Sequence, residues 1–201
     1  MANVLGLTGG IASGKSTVSQ IFKKYHFKIV DADIGARKIL DPGTKGLEEV
    51  VRIFGKQILL DSGSLDRVKL GQIIFNDAKK RKQLDECLVH HIREWIVSEK
   101  NKLLARNEPL IILDIPLLIE AHYENEVDEI MVVAVSEETQ LKRLMKRNEL
   151  TVEEAKMRIE SQLPLSEKIE MADIVIYNEG TIEETEAQVV KWLVSKGYYS
   201  E

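Results

Sequence analysis

Residues Gly9-Gly10-Ile11-Ala12-Ser13-Gly14-Lys15-Ser16 match G-x-x-x-x-G-K-[ST] at every fixed position, between the apolar run Val4–Leu7 and a helix-compatible stretch, Thr17 to Lys24. A strand, a tight glycine-rich turn and a helix in that order leave few architectures open. Glycines let the backbone fold back so that successive N–H groups converge on an anion, and the following helix adds its positive end. The pattern predicts a loop for nucleoside triphosphate. Gly10, Ile11, Ala12, Ser13, Gly14 and Thr17 cradle the phosphates, Lys15 reaches the β- and γ-phosphates, and the Ser16 hydroxyl binds Mg²⁺.

Five short apolar runs read as buried strands: Val4–Leu7, 28–30, Leu110–Leu113, 130–135 and 174–176. Runs such as Leu-Ile-Ile-Leu are continuously apolar rather than alternating, as in a parallel sheet covered on both faces. Longer helix-patterned segments separate them, so the fold class is α/β, a P-loop NTPase with a five-stranded parallel core. Two intervals exceed a simple crossover. Residues 34–108 hold about three helical segments, one with Leu84, Leu88, Ile92, Ile96 and Leu103 at helical spacing, and read as a helical substrate-binding insertion. Residues 137–172 are charged and helical and read as a lid, leaving 1–33, 109–136 and 173–201 as the nucleotide-binding core.

Of the 201 residues, 30% are charged and 44% hydrophobic, an ordinary globular balance. A net charge of −5 argues against general nucleic-acid binding. No apolar run approaches a membrane span, and the first residues run straight into the phosphate loop with no room for a cleavable signal. The single cysteine, Cys87, excludes an internal disulfide and reads as a small apolar helix residue, so a cytoplasmic location is expected. Composition leaves the oligomeric state open.

Three further groups carry chemistry. Asp31-Ala32-Asp33 closes the second strand at the carboxyl edge, where ligands bind in open parallel sheets. With a period of two, both aspartates share a side, and either Asp33 acts as a general base on an attacking hydroxyl or it caps the helix beginning near Ile34. Asp114 ends the Leu-Ile-Ile-Leu strand as a Walker B aspartate does, a position that holds Mg²⁺, and Ile115-Pro116-Leu117-Leu118 follow it. Arg143 and Arg147, four apart on one helix face, suit the spreading charge of a transferring phosphoryl group, or else form a solvated basic face. His90 and His91 are adjacent on a helix and diverge, with no third ligand at useful spacing nearby, so a metal is not expected there.

Together these residues resemble the dephospho-coenzyme A kinase family over nearly the full length. Leu7–Ser16 is similar to that family's phosphate loop, Asp31-Ala32-Asp33 to its second-strand motif, and Asp114-Ile115-Pro116-Leu117-Leu118 to its signature after strand three. Glu138-Thr139-Gln140-Leu141 with Arg143 and Arg147 resembles its lid, and Ala172-Asp173 with Asn178 its last strand and adenine-side loop. The resemblance implies transfer of the γ-phosphate of ATP, with Mg²⁺, to the ribose 3′-hydroxyl of dephospho-CoA. It makes Lys15, Asp33, Arg143 and Arg147 catalytic. It puts Asn178 beside the adenine, Ser16 and Asp114 on the metal, and Asp33, His90, Asp114, Pro116, Leu117 and Leu118 along the coenzyme. Two departures stand out. Ala12 replaces a glycine of many relatives, tolerable if its φ stays negative, and His91 follows His90 where the family usually has proline. The rival readings are another small-molecule kinase and a nucleotide switch. The segment nearest a guanine motif, Asn101-Lys102-Leu103-Leu104, lacks the aspartate a GTPase-type switch carries.

Overall fold

A computed structural model describes residues 3–75 and 77–200. It contains five strands: β1 (Asn3–Gly9), β2 (Lys28–Asp31), β3 (Leu110–Asp114), β4 (Glu129–Ala134) and β5 (Ile174–Tyr177). They form one sheet in the order β2-β3-β1-β4-β5. β1 pairs in parallel with both β3 and β4, and β4 in parallel with β5. β3 is buried along its whole length, as continuous apolar strands should be. β1 runs two residues beyond its apolar segment because Thr8 and Gly9 still pair with Val132 and Val133 of β4.

Nine α-helices accompany the strands among the described residues: α1 (Lys15–Lys24), α2 (Ala32–Lys38), α3 (Lys45–Phe54), α4 (Arg67–Phe75), α5 (Ala78–Leu104), α6 (Glu137–Asn148), α7 (Val152–Glu160), α8 (Leu165–Glu170) and α9 (Ile182–Ser195). The interval between β2 and β3 therefore holds four helices, where the periodicity predicts about three. Most starts are legible: Thr44 caps α3, Ser136 caps α6, and α7 and α9 begin with reciprocal Thr-x-x-Glu capping boxes.

The chain divides into two compact units. One runs to Val30 and resumes at Lys100, and the other is Asp31–Glu99. These boundaries differ from the predicted 34 and 108, and residues 137–172 group with the first unit. In the first unit Leu5 and Leu7 of β1, Ile112 of β3 and Val133 of β4 pack with Val18 and Phe22 of α1 and Trp192 and Leu193 of α9. Burying each such side chain contributes roughly 1.5–3 kcal/mol, which holds α1 behind the loop it follows. Phe22 meets Trp192 edge-on at 6.2 Å. The second unit has its own core, with Leu47, Val50 and Phe54 of α3, Leu70 of α4 and Leu84 of α5.

No helix among the described residues is long and apolar enough to cross a membrane.

Candidate active site

In the first unit the loop after β1 leads into α1, whose N-terminal amides meet no side-chain cap. Gly14 occupies that position at φ +91°, and the first turn carries no acidic residue. An uncapped helix start behind a glycine turn is a ready anion site. The turn is tight, with Ser13 N–H donating to Gly10 O at 3.1 Å and Thr17 N–H to Gly14 O at 2.9 Å.

Ala12 sits at φ +61°, so the condition for its easy tolerance, a negative φ, is not met. The loop needs a left-handed residue at that place, which explains why a glycine is at home there. Alanine adopts it at a cost of about 1–2 kcal/mol.

Because Leu7 of β1 is in register with Asp114 of β3, the ends of the two strands emerge side by side. The Asp114 carboxylate is buried and paired with the Lys15 ammonium. Thr8 Oγ1 donates to Pro116 O at 2.9 Å and Ile115 N–H to Leu7 O at 3.0 Å, locking the segment after β3 against β1. Leu117 faces outward, 44% exposed. Leu118 does not: its side chain is fully buried against Gly6, where a Cβ would collide with it. The expected substrate contact of Leu118 is thereby corrected to a packing role.

Side chains distant in sequence hold the loop, and sequence reasoning passed over most of them. Ile11 N–H donates to Gln162 Oε1 at 2.8 Å, and Gln140 Nε2 donates to Ile11 O at 2.9 Å. Fully buried Lys168 pairs with Glu120 at 2.7 Å and reaches Gly9 O at 3.4 Å. Asn178 Nδ2 donates to Ser13 O at 2.9 Å while its Oδ1 accepts from Thr185 Oγ1 at 2.9 Å. The Asn178 side chain therefore braces the loop. A buried glutamine in the charged stretch of α6 was the one visible signal, since Gln140 falls where a helix face must meet the core.

The two arginines of α6 differ. An Arg143 nitrogen comes within 3.8 Å of where a Cβ would stand on Gly14, placing it at the loop. Arg147, exposed one turn further on, donates from Nε to Asn148 Oδ1 at 2.9 Å.

In the second unit, Asp31 rather than Asp33 caps α2, accepting from Asp33 N–H at 2.9 Å and Ile34 N–H at 3.2 Å. β2 ends at Asp31, so the period-two relation between the aspartates stops there and Asp33 lies in the first turn of α2. Its side chain, spared from capping, lines a cavity of about 570 Å³ with Arg37 and Arg67 among apolar residues that include Leu40, Leu70 and Ile74. Arg67 donates to the Arg37 carbonyl at 3.4 Å. His90 is 71% exposed on α5, beside Glu94 at 3.1 Å, and is not in that wall.

A family model described as dephospho-CoA kinase matches residues 3–184. The chain belongs to the dephospho-CoA kinase family. A dephospho-CoA kinase from Enterococcus faecalis is 52% identical over 193 residues, and one from Listeria monocytogenes 47% identical over 193 residues, each comparison covering 96% of both chains. The solved dephospho-CoA kinase from Campylobacter jejuni superposes with TM-score 0.76 at 34% identity, over 99% of this chain and 100% of that one. Shikimate kinase from Aquifex aeolicus, TM-score 0.52 at 18% identity over 96% of this chain and 98% of its own, shares the fold alone. The fold and the kinase class expected from the sequence are those of this dephospho-CoA kinase family member.

Proposed function

We propose that this chain transfers the γ-phosphate of ATP to the ribose 3′-hydroxyl of dephospho-CoA, yielding CoA and ADP, the last step of CoA synthesis. Family membership over nearly the whole chain carries the reading, and the phosphate loop with its Lys15–Asp114 pair supports it. On triphosphate binding, Lys15 exchanges its carboxylate partner for phosphate oxygens, and the loop amides with the open start of α1 take further negative charge. Ser16 and Asp114 are hard oxygen donors at the loop and the end of β3, a set that fits Mg²⁺. These two would hold the ion, which when bound neutralises phosphate charge.

Arg143, already at the loop, stabilises the charge spread over the transferring group, and Arg147 adds to it. The cavity of the second unit offers a receptor of matching chemistry for the acceptor. Arg37 and Arg67 suit a diphosphate, the leucines and isoleucine suit an apolar arm, and Asp33 takes the proton of the attacking hydroxyl. Phosphoryl transfer needs positioning and charge stabilisation more than covalent chemistry, and this inventory supplies both.

The test is ADP release with Mg-ATP, with and without dephospho-CoA, followed by mass analysis. The expected result is ADP formation that depends on dephospho-CoA and a product bearing a 3′-phosphate. ATP binding by folded protein without any stimulation by dephospho-CoA would refute the acceptor while leaving the phosphate loop standing.

A further inference from the structure

Within the second unit, α3 and α5 bring together three side chains of metal-ligating type, none of which lines the cavity. Cys87 and His91 are four apart on α5 and so share a face, and Glu49 faces them from α3. One donor atom of each lies within 4.8 Å of the other two. His91 Nε2 is 2.7 Å from Glu49 Oε2, and the imidazole is only 10% exposed. The sequence hides this grouping because Glu49 precedes His91 by 42 residues.

We propose that Glu49, Cys87 and His91 form a site for a zinc-type divalent cation, with a fourth position open to water. A thiolate, an imidazole and a carboxylate together favour Zn²⁺ over Mg²⁺, which wants oxygens in an octahedron. Zinc bonds of about 2.0–2.3 Å put tetrahedral donors roughly 3.3–3.8 Å apart. The contact at 2.7 Å and the outer limit of 4.8 Å bracket that separation, so rotations at the ends of the side chains close the site. Binding detaches the Cys87 thiol proton to solvent while sulfur, imidazole nitrogen and carboxylate oxygen each donate a lone pair, with no change of oxidation state.

Two neighbours shape the site. Glu94 Oε2 stands 3.9 Å from His91 Nδ1, on the ring nitrogen that the cation leaves free, where metal-bound imidazoles commonly carry a carboxylate. Arg52 binds Glu49 through the other oxygen, Oε1, at 3.0 Å, which leaves Oε2 for the metal. Arg52 also opposes a cation by charge, but on an exposed pair its effect is small. An occupied site would staple α3 to α5 inside the helical insertion and is separate from the proposed Mg²⁺ donors, Ser16 and Asp114.

Cobalt titration of the metal-stripped full-length protein tests this. Cys87 is the sequence's only cysteine, so a near-ultraviolet thiolate-to-cobalt charge-transfer band reports on this site alone. The expected result is a band saturating at one Co²⁺ per chain and abolished by excess Zn²⁺. It should be absent in Cys87→Ala and Cys87→Ser, and Glu94→Gln should weaken affinity by about 10-fold. His91→Ala should weaken it by more, with circular dichroism confirming that each variant is folded. No band in folded parent protein would overturn the proposal, and so would a band that survives His91→Ala unchanged or saturates at one ion per two chains.

Discussion

Lys168 has no exposed surface, and its ammonium is held by one carboxylate oxygen of Glu120. The second oxygen, Glu120 Oε2, is buried with no hydrogen-bond partner among the described residues. Lys168→Met therefore leaves a carboxylate largely withdrawn from water without its counter-charge. Breaking a buried pair from one side costs about 3–5 kcal/mol. Glu120 keeps 22% of its side-chain surface and the Leu163 N–H at 3.2 Å, which lowers the figure to about 2–4 kcal/mol. For a chain of this size that is a fall in Tm of roughly 5–15 °C. Thermal unfolding followed by circular dichroism, at one pH and buffer, measures it. A double-mutant cycle with Glu120→Leu isolates the pair: the double variant should be more stable than Lys168→Met alone, because no charge is stranded. If Lys168→Met lies within about 1 kcal/mol of the parent and the two changes simply add, the ammonium is hydrated and the argument fails.

Ala12→Gly should stabilise the protein by about 0.5–1 kcal/mol, since relief of left-handed strain exceeds the entropy glycine adds to the unfolded chain. A lower Tm would contradict the positive φ. Asp33→Asn should leave a folded protein with turnover reduced at least about 100-fold, and near-normal turnover in the coupled ADP assay would remove Asp33 from the base role. Lys15→Ala should cost at least about 100-fold as well, through lost charge stabilisation at the phosphates. Burial alone would raise the Glu129 pKa, but hydrogen bonds from Lys196 and Asn3 outweigh it and hold the carboxyl below its ordinary value. Its stabilisation is whole above the ordinary glutamate range and fades as pH falls through the lower, folded value, so Glu129→Gln should flatten the acid limb of stability against pH. An unchanged acid limb would show the pair to be fully solvated.

What the sequence makes legible is what short-range physics dictates. Leu-Ile-Ile-Leu, short and bounded by Pro109 and Pro116, reads as a covered strand, and Gly14-Lys15-Ser16 between an apolar run and a helix-compatible stretch reads as a phosphate loop, so the sheet and the loop are legible. The bracing of the loop does not. Gln162, Gln140 and Lys168 reach it across 129–159 residues of separation, and nothing in a local window says which polar side chain will be drawn inward. Asp31 and Asp33 show the same limit at close range. Aspartate caps helices well at either position, and only the chain's path out of β2 decides that Asp31 Oδ1 takes both amides while the Asp33 carboxylate is spared from capping. Ala12 shows it too, because a residue's identity does not reveal the sign of its φ.

The grip on Ile11 carries a thermodynamic obligation. Both glutamines that hold its peptide come from the stretch of chain that also carries Arg143 and Arg147, so the loop and that stretch share one free-energy balance. Any ligand that claims the Ile11 N–H must first outbid Gln162. By reciprocity, whatever repositions Gln162 must change the affinity for that ligand by the same factor. Substitutions at 140 and 162, neither of them among the family's phosphate-loop residues, should therefore register first as altered nucleotide affinity.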